Sequence, residues 1–233
     1  MSTPAARSPE REYVKRSEPE NHAALMDKVY RRQRFFYDVT RKYYLLGRDR
    51  AIRDLALAPG ARLVEVGCGT GRNLVQIAKR YPDARLFGLD ASAEMLRTAA
   101  RVIARADLGD RIRLAHGYAE TLSPSMFGET ESFDAVLFSY SLSMIPDWRQ
   151  ALASASLALA PNGKIHIVDF GDLTGLGRVA ERALRAWLAL FHVSPRAELL
   201  HGFEKARNAE RGAHLRVLPG RYAFVLSMPK LGA

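Results

Sequence analysis

Cysteine is almost absent from this chain of 233 residues, with Cys68 its single representative. One thiol cannot close an intramolecular disulfide, so the chain has no cross-linked framework and is expected in a reducing compartment. Long apolar runs are missing as well. No stretch of about 18 uninterrupted apolar residues exists to cross a bilayer. The first twenty residues mix Pro, Ser, Arg and Glu with no apolar centre, so residues 1–20 read as a disordered lead-in and not as a secretory signal. No metal-ligand spacing stands out. Two phosphate-binding loops are also excluded. A dinucleotide loop needs a third glycine where Arg72 stands, and a Walker loop needs Gly-Lys-Ser/Thr where the chain has Gly71-Arg72-Asn73.

Acidic charge is scarce in two places, and these carry the net charge of +10. Residues 28–53 hold nine Lys/Arg against Asp38 and Asp49, and residues 173–216 hold eight against four Glu. The remainder is nearly neutral. The excess therefore lies outside the central α/β pattern, where anionic lipid headgroups or nucleic acid would be met. Solvated helix faces would carry the same charge.

That central pattern alternates short apolar strands with helical segments. Leu63–Val66, Arg85–Leu89, Arg111–Ala115, Phe133–Ser139 and Lys164–Phe170 read as strands, with helices over about 73–80 and from an N-cap at Ser92 to about Ala106. Strands separated by helices predict a parallel sheet. His214–Leu218 and Arg221–Ser227 are separated only by Pro219-Gly220, which is too short for a crossover and predicts an antiparallel hairpin. The expected fold is α/β, a Rossmann-like doubly wound sheet of seven mostly parallel strands. Residues 21–58 form an N-terminal helical lid, residues 59–233 the main domain, and about 173–212 a helical insertion.

The chemical signal is Glu65-Val66-Gly67-Cys68-Gly69-Thr70-Gly71 between a strand and a helix. Glycines there let the chain turn sharply and let a ligand approach the backbone, while amides at the next helix start favour a carboxylate. Asp90 ends the following strand, and an ionised carboxylate can accept two hydroxyl donors at once. Together these features resemble the class I S-adenosylmethionine-dependent methyltransferases. The resemblance implies S-adenosylmethionine as cofactor, with Tyr30, Glu65, Gly67, Cys68, Gly69, Asp90, Ala91, Met95, Tyr118, Ala119 and Ser139 around it. Asp90 would take the ribose hydroxyls and Met95 would wall the adenine. Tyr118 stands where the family often has an acid, which leaves only a backbone contact near Ala119 for the adenine amine. An RNA-modifying member would carry Asn/Asp-Pro-Pro-Tyr or a nucleophilic cysteine after the fourth strand. Ser139-Tyr140-Ser141-Leu142 offers neither, so nucleic acid is not the expected partner.

Tyr30 to Tyr44 interleaves aromatics with Arg and Lys. This suits base stacking, a lid whose tyrosines close over a cofactor, or plain core packing. Apolar residues at 176, 179, 180, 183, 184, 187, 188 and 191 follow helical spacing, with Arg178, Arg182 and Arg185 off the stripe. A helix at a lipid interface and a helix packed on its own protein both look like this.

Several stretches resemble the bacterial N-methyltransferases of betaine-lipid synthesis, which convert diacylglyceryl-homoserine to its trimethylated betaine, and lie close to the phosphatidylethanolamine N-methyltransferases. They are Tyr30 to Arg50, with Tyr37-Asp38 and Lys42-Tyr-Tyr-Leu-Leu-Gly-Arg-Asp-Arg50, then Ser139 to Trp148, Val168 to Asp172 and Phe191 to Pro195. The resemblance implies a lipid amine as acceptor, with the protein on the cytoplasmic side and peripherally attached to an anionic membrane. Tyr140 and Asp169, near strand ends, are the candidates for placing or deprotonating the amine, with Tyr37 and Tyr30 folding over from the lid. Ser143 stands where some small-molecule methyltransferases have a histidine base, and His192 is a weak substitute. Asp169 would serve equally as the buried partner of an arginine.

Overall fold

In a computed structural model, residues 45–189, 195–209 and 212–230 are described. The lead-in, the greater part of the lid, Tyr30, Tyr37 and His192 lie outside them. Seven strands form one sheet: β1 Arg62–Val66, β2 Arg85–Asp90, β3 Ile112–His116, β4 Phe133–Ser139, β5 Leu159–Phe170, β6 His214–Val217 and β7 Ala223–Pro229. Their order is β3-β2-β1-β4-β5-β7-β6. The first five are parallel, and β7 is antiparallel to both β5 and β6. Six α-helices accompany them among the described residues: α1 Arg48–Arg53, α2 Arg72–Arg80, α3 Ala93–Arg105, α4 Trp148–Ala158, α5 Arg178–Ala189 and α6 Ala197–Ala209.

Side-chain alternation along the strands divides the core between the two faces. Val64, Val66, Phe87, Val136, Phe138, Ile165 and Ile167 meet α4 and α6, while Leu63, Leu86, Ala135 and Leu137 meet α2 and α3. Both faces are covered, which is why the central strands are nearly continuous apolar runs. Phe87, Phe127 and Phe133 seal one end of the first layer, with ring centroids 5.2 to 5.9 Å apart. β5 begins five residues earlier than the sequence pattern indicates. The ladder to β4 shifts between Phe133 and Ala135, and this irregularity absorbs Pro161, which has no amide to donate.

Because β1 sits between β2 and β4, the chain leaves β1 to one side and later returns on the other. Ligands in such sheets bind outside the strand ends at this switch point. Two caps hold the helices that flank it. Ser92 Oγ accepts from the Met95 amide at 3.3 Å, and Asp147 Oδ1 accepts from the Gln150 amide at 3.0 Å.

The far edge is held differently. Asp172 is buried and accepts from Arg221 Nε at 2.8 Å on both oxygens, from the Thr174 hydroxyl at 2.8 Å and from His201 Nε2 at 3.1 Å. These bonds outweigh the burial of the group and hold its carboxyl well below the usual carboxylate range. The cluster joins the end of β5, the β6–β7 turn and α6. Arg221 is partly exposed, which moderates the loss on removing it. Arg221→Ala is therefore expected to cost about 2 kcal/mol in urea unfolding; a loss under about 0.5 kcal/mol would show that the cluster is not holding this edge.

Candidate active site

The residues after β1 form a tight bend because they are glycines at positive φ: Gly67 at 74°, Gly69 at 54° and Gly71 at 75°. A Cβ on Gly67 would lie 2.6 Å from the Ser141 Cβ, so the bend and the loop after β4 touch with no room for a side chain. The loop amides are spent internally. Gly67 and Cys68 donate to the Leu89 carbonyl at 2.8 and 3.0 Å, and Gly71 to Cys68. Gly69 donates to Asp90 Oδ2 at 2.7 Å, and Ser92 to Asp90 Oδ1 at 2.9 Å. The glycine bend and the acid one strand later are thus directly bonded.

Above them opens a cavity of about 370 Å³, within the roughly 300–1,000 Å³ range of small-molecule sites. Gly67, Gly69, Asp90, Ala91, Met95, Tyr118, Ala119 and Tyr140 line it, as do Val66, Leu89, Gly117, Glu120, Thr121 and the run Ser141, Met144, Ile145, Pro146 and Asp147. The donor and acceptor set fits an adenosine-bearing cofactor. The amide bonds from Gly69 and Ser92 orient Asp90, and a carboxylate, with about four acceptor positions, is chemically suited to ribose hydroxyls. Val66, Leu89, Met95 and Ile145 supply apolar walls for a base. When bound, S-adenosylmethionine would bring a methyl group on a sulfonium.

Glu65, Cys68 and Ser139, expected around the cofactor, are buried and do not line the cavity. Asn73 Nδ2 donates to Glu65 Oε1 at 2.6 Å and to Ser139 Oγ at 3.1 Å, tying β1, α2 and β4 together under the bend. Cys68 turns into the α2–α3 layer, where a Cβ on Gly88 would lie 2.9 Å from its sulfur. Burial pushes its thiol well up, against the thiolate form.

Tyr140 and Asp169, the two described candidates for placing or deprotonating the amine, stand differently towards the cavity. Asp169 is fully buried and does not reach the cavity lining. Its carboxylate accepts from the Ser143 amide at 3.0 Å and the Phe170 amide at 2.8 Å, so it shapes the loop after β4. No arginine among the described residues pairs with it. Tyr140 does line the cavity, but its hydroxyl donates to the Leu46 carbonyl, and burial pushes its pKa well up, the wrong direction for a base. Its φ of 56° and its edge-on contact with Phe170, at 4.7 Å between centroids, make it the corner on which the loop after β4 turns. That corner brings Ser141, Met144, Ile145, Pro146 and Asp147 into the lining, within the stretch Ser139 to Trp148 that the sequence had marked only by resemblance.

Residues 63–163 match the model of a methyltransferase domain. A ubiquinone/menaquinone biosynthesis C-methyltransferase of Syntrophotalea carbinolica is 31% identical over 170 residues, which is 69% of this chain and 65% of the relative. The chain thus spans less than two thirds of that relative's length. Among solved structures, an S-adenosylmethionine-dependent methyltransferase from Thermotoga maritima superposes with a TM-score of 0.61 at 20% identity, over 88% of this chain and 99% of the other. Phosphoethanolamine N-methyltransferase 2 of Haemonchus contortus, in complex with S-adenosyl-L-methionine, gives a TM-score of 0.58 at 19% identity, over 73% of this chain and 38% of the other. The fold is that of the S-adenosylmethionine-dependent methyltransferases.

Two outcomes follow. Asp90→Ala is expected to abolish binding of S-adenosylmethionine in calorimetry while leaving the circular dichroism spectrum unchanged; wild-type affinity would show that the ribose assignment is wrong. Burial raises Asp169 to about 6 against the opposing amide bonds. The native state therefore takes up this proton before the unfolded chain does, and Asp169 contributes stability below pH 4 that is lost as the pH rises through about 6. Burial and Lys164 lower His166 to about 4, which gives the opposite slope. The difference between wild type and Asp169→Asn isolates the carboxyl: the wild type should gain relative to the variant as the pH falls from 7 to 4 in denaturant titrations. A flat difference would contradict the buried placement.

Proposed function

We propose that this methyltransferase moves methyl groups from S-adenosylmethionine to the amine of a lipid headgroup, with diacylglyceryl-homoserine as acceptor and the trimethylated betaine lipid as product. The observation that carries this reading is a contrast of charge. In a chain of net charge +10, the described cavity lining contains the carboxylates Asp90, Glu120 and Asp147 and no Lys, Arg or His. Such a site draws in an ammonium and repels an acceptor that is itself an anion at the reacting atom. The remaining lining is largely apolar, which suits an acceptor attached to hydrocarbon.

Methyl transfer to an amine needs the nitrogen lone pair aligned behind the methyl carbon, and holding that geometry supplies most of the acceleration. Glu120 and Asp147 hold the incoming ammonium, which releases its proton to water or to one of them before attack. Tyr140 and Asp169 act at one remove, by fixing the loop that carries Ser141 to Asp147. Phosphatidylethanolamine offers the same ammonium on a phosphate-bearing headgroup and is the nearest competing acceptor.

A second reading is favoured by the relative from Syntrophotalea carbinolica. An apolar cavity also accepts a prenylated phenol ring, and methylation would then fall on carbon. Purified protein with radiolabelled cofactor and mixed micelles of each acceptor separates the readings. Label is expected in diacylglyceryl-homoserine, through mono-, di- and trimethylated products. Label confined to phosphatidylethanolamine, or to a demethylated quinol, would overturn the assignment.

A further inference from the structure

We infer that the outward face of α5 is a docking surface for an anionic bilayer and lays the cavity mouth against the membrane; this rests on the reading of the acceptor as a lipid. The helix follows β5 through the short turn Thr174–Leu176. Its inner side is committed to the protein. Leu184, Trp187 and Leu188 join the cluster that contains Tyr140 and Met144, two residues of the cavity wall. Arg185 Nε binds Glu181 Oε1 at 2.9 Å, and its Nη2 donates to the Asp172 carbonyl at 2.6 Å. The helix is thus fixed beside the methyl-transfer site and cannot turn over.

The other side has no cover among the described residues. At about 3.6 residues per turn, Arg178, Val179, Arg182, Ala183 and Ala186 share one face, and all five are exposed. Val179 is 85% exposed. The face holds no carboxylate, since the only acid of α5, Glu181, lies on the inner rim against Arg185. Neither Arg178 nor Arg182 forms an ion pair within the described residues. A helix facing water alone ordinarily mixes both signs of charge. Two arginines beside valine and alanines, with no acid, match a headgroup region instead: cations for phosphate, apolar side chains for the layer beneath. Leu46, 49% exposed, adds a second apolar side chain at the same end of the sheet, where its carbonyl receives the Tyr140 hydroxyl. A docked helix would present the cavity to a headgroup that stays anchored in the bilayer, so the acceptor need not leave it.

The test uses the full chain with vesicles of phosphatidylglycerol and phosphatidylcholine in equal parts, and vesicles of phosphatidylcholine alone, in co-sedimentation at low and high salt. Wild-type protein is expected to sediment with the anionic vesicles and to be released by salt. The double variant Arg178→Glu/Arg182→Glu is expected to lose about tenfold or more in partitioning, and Val179→Asp to weaken it further, with unchanged circular dichroism and cofactor affinity. Methyl transfer to acceptor dispersed in detergent micelles reads the active-site assignment separately. Loss of vesicle binding with micelle turnover retained supports the docking surface. Equal sedimentation of variant and wild type, or equal binding to both vesicle types, overturns it. So does sedimentation equilibrium in which wild type is a dimer and the double variant a monomer without either binding vesicles, because the face would then join two copies of the chain. Absence of micelle turnover in the wild type would count against the lipid acceptor and leave the vesicle result to decide the surface.

Discussion

The bond from the Gly69 amide to the Asp90 carboxylate, 2.7 Å long, is the constraint on which the site depends. It fastens the bend after β1 to the end of β2, and the Ser92 amide holds the other oxygen at 2.9 Å. The bend itself needs glycine for two separate reasons: a left-handed backbone at three positions and contact with Ser141 that a methyl group would break. Beneath it, Asn73 bridges Glu65 and Ser139, so the polar groups under the loop support its shape.

The opposite wall of the cavity depends on Tyr140. Its positive φ, its contact with Phe170 and its bond to Leu46 turn the chain after β4 across the strand ends. Asp169 secures the same loop from below through the Ser143 amide. The segment preceding α1 and the loop carrying Ser141 to Asp147 are therefore mechanically connected, and Arg185 and Leu188 connect α5 to the same region. Charge divides along these lines, with carboxylates inside the cavity and arginines on the outer face of the neighbouring helix.

Much of this was legible in the sequence because it is local. The five parallel strands, the terminal hairpin, the Ser92 cap and the cavity residues Gly67, Gly69, Asp90 and Met95 all sit at fixed offsets from strand ends. What the pattern missed depends on the path of the chain in three dimensions. Ser141 to Asp147 stood out only by resemblance and without a role, since its place in the cavity wall follows from the corner at Tyr140. Asp169 was open to a catalytic or a structural reading because its strand end says nothing of burial: both faces of β5 are covered there, by Ile165 and Ile167 on one side and Val168 and Phe170 on the other, and the carboxylate is bonded to the Ser143 and Phe170 amides. Cys68 was drawn into the site by its place between two glycines, whereas the missing side chain at Gly88 gives its sulfur room in the core. Residues 176–191 left interface and core undecided, and α5 divides between them: Leu188 is buried and Val179 is exposed.

A crystal structure of the full chain with S-adenosylhomocysteine tests the central claim most directly. The account predicts both ribose hydroxyls within hydrogen-bonding distance of the Asp90 carboxylate, with the adenine against Met95 and Gly67 facing the amino-acid portion. A nucleoside bound elsewhere, or one whose ribose turns away from Asp90, would contradict it.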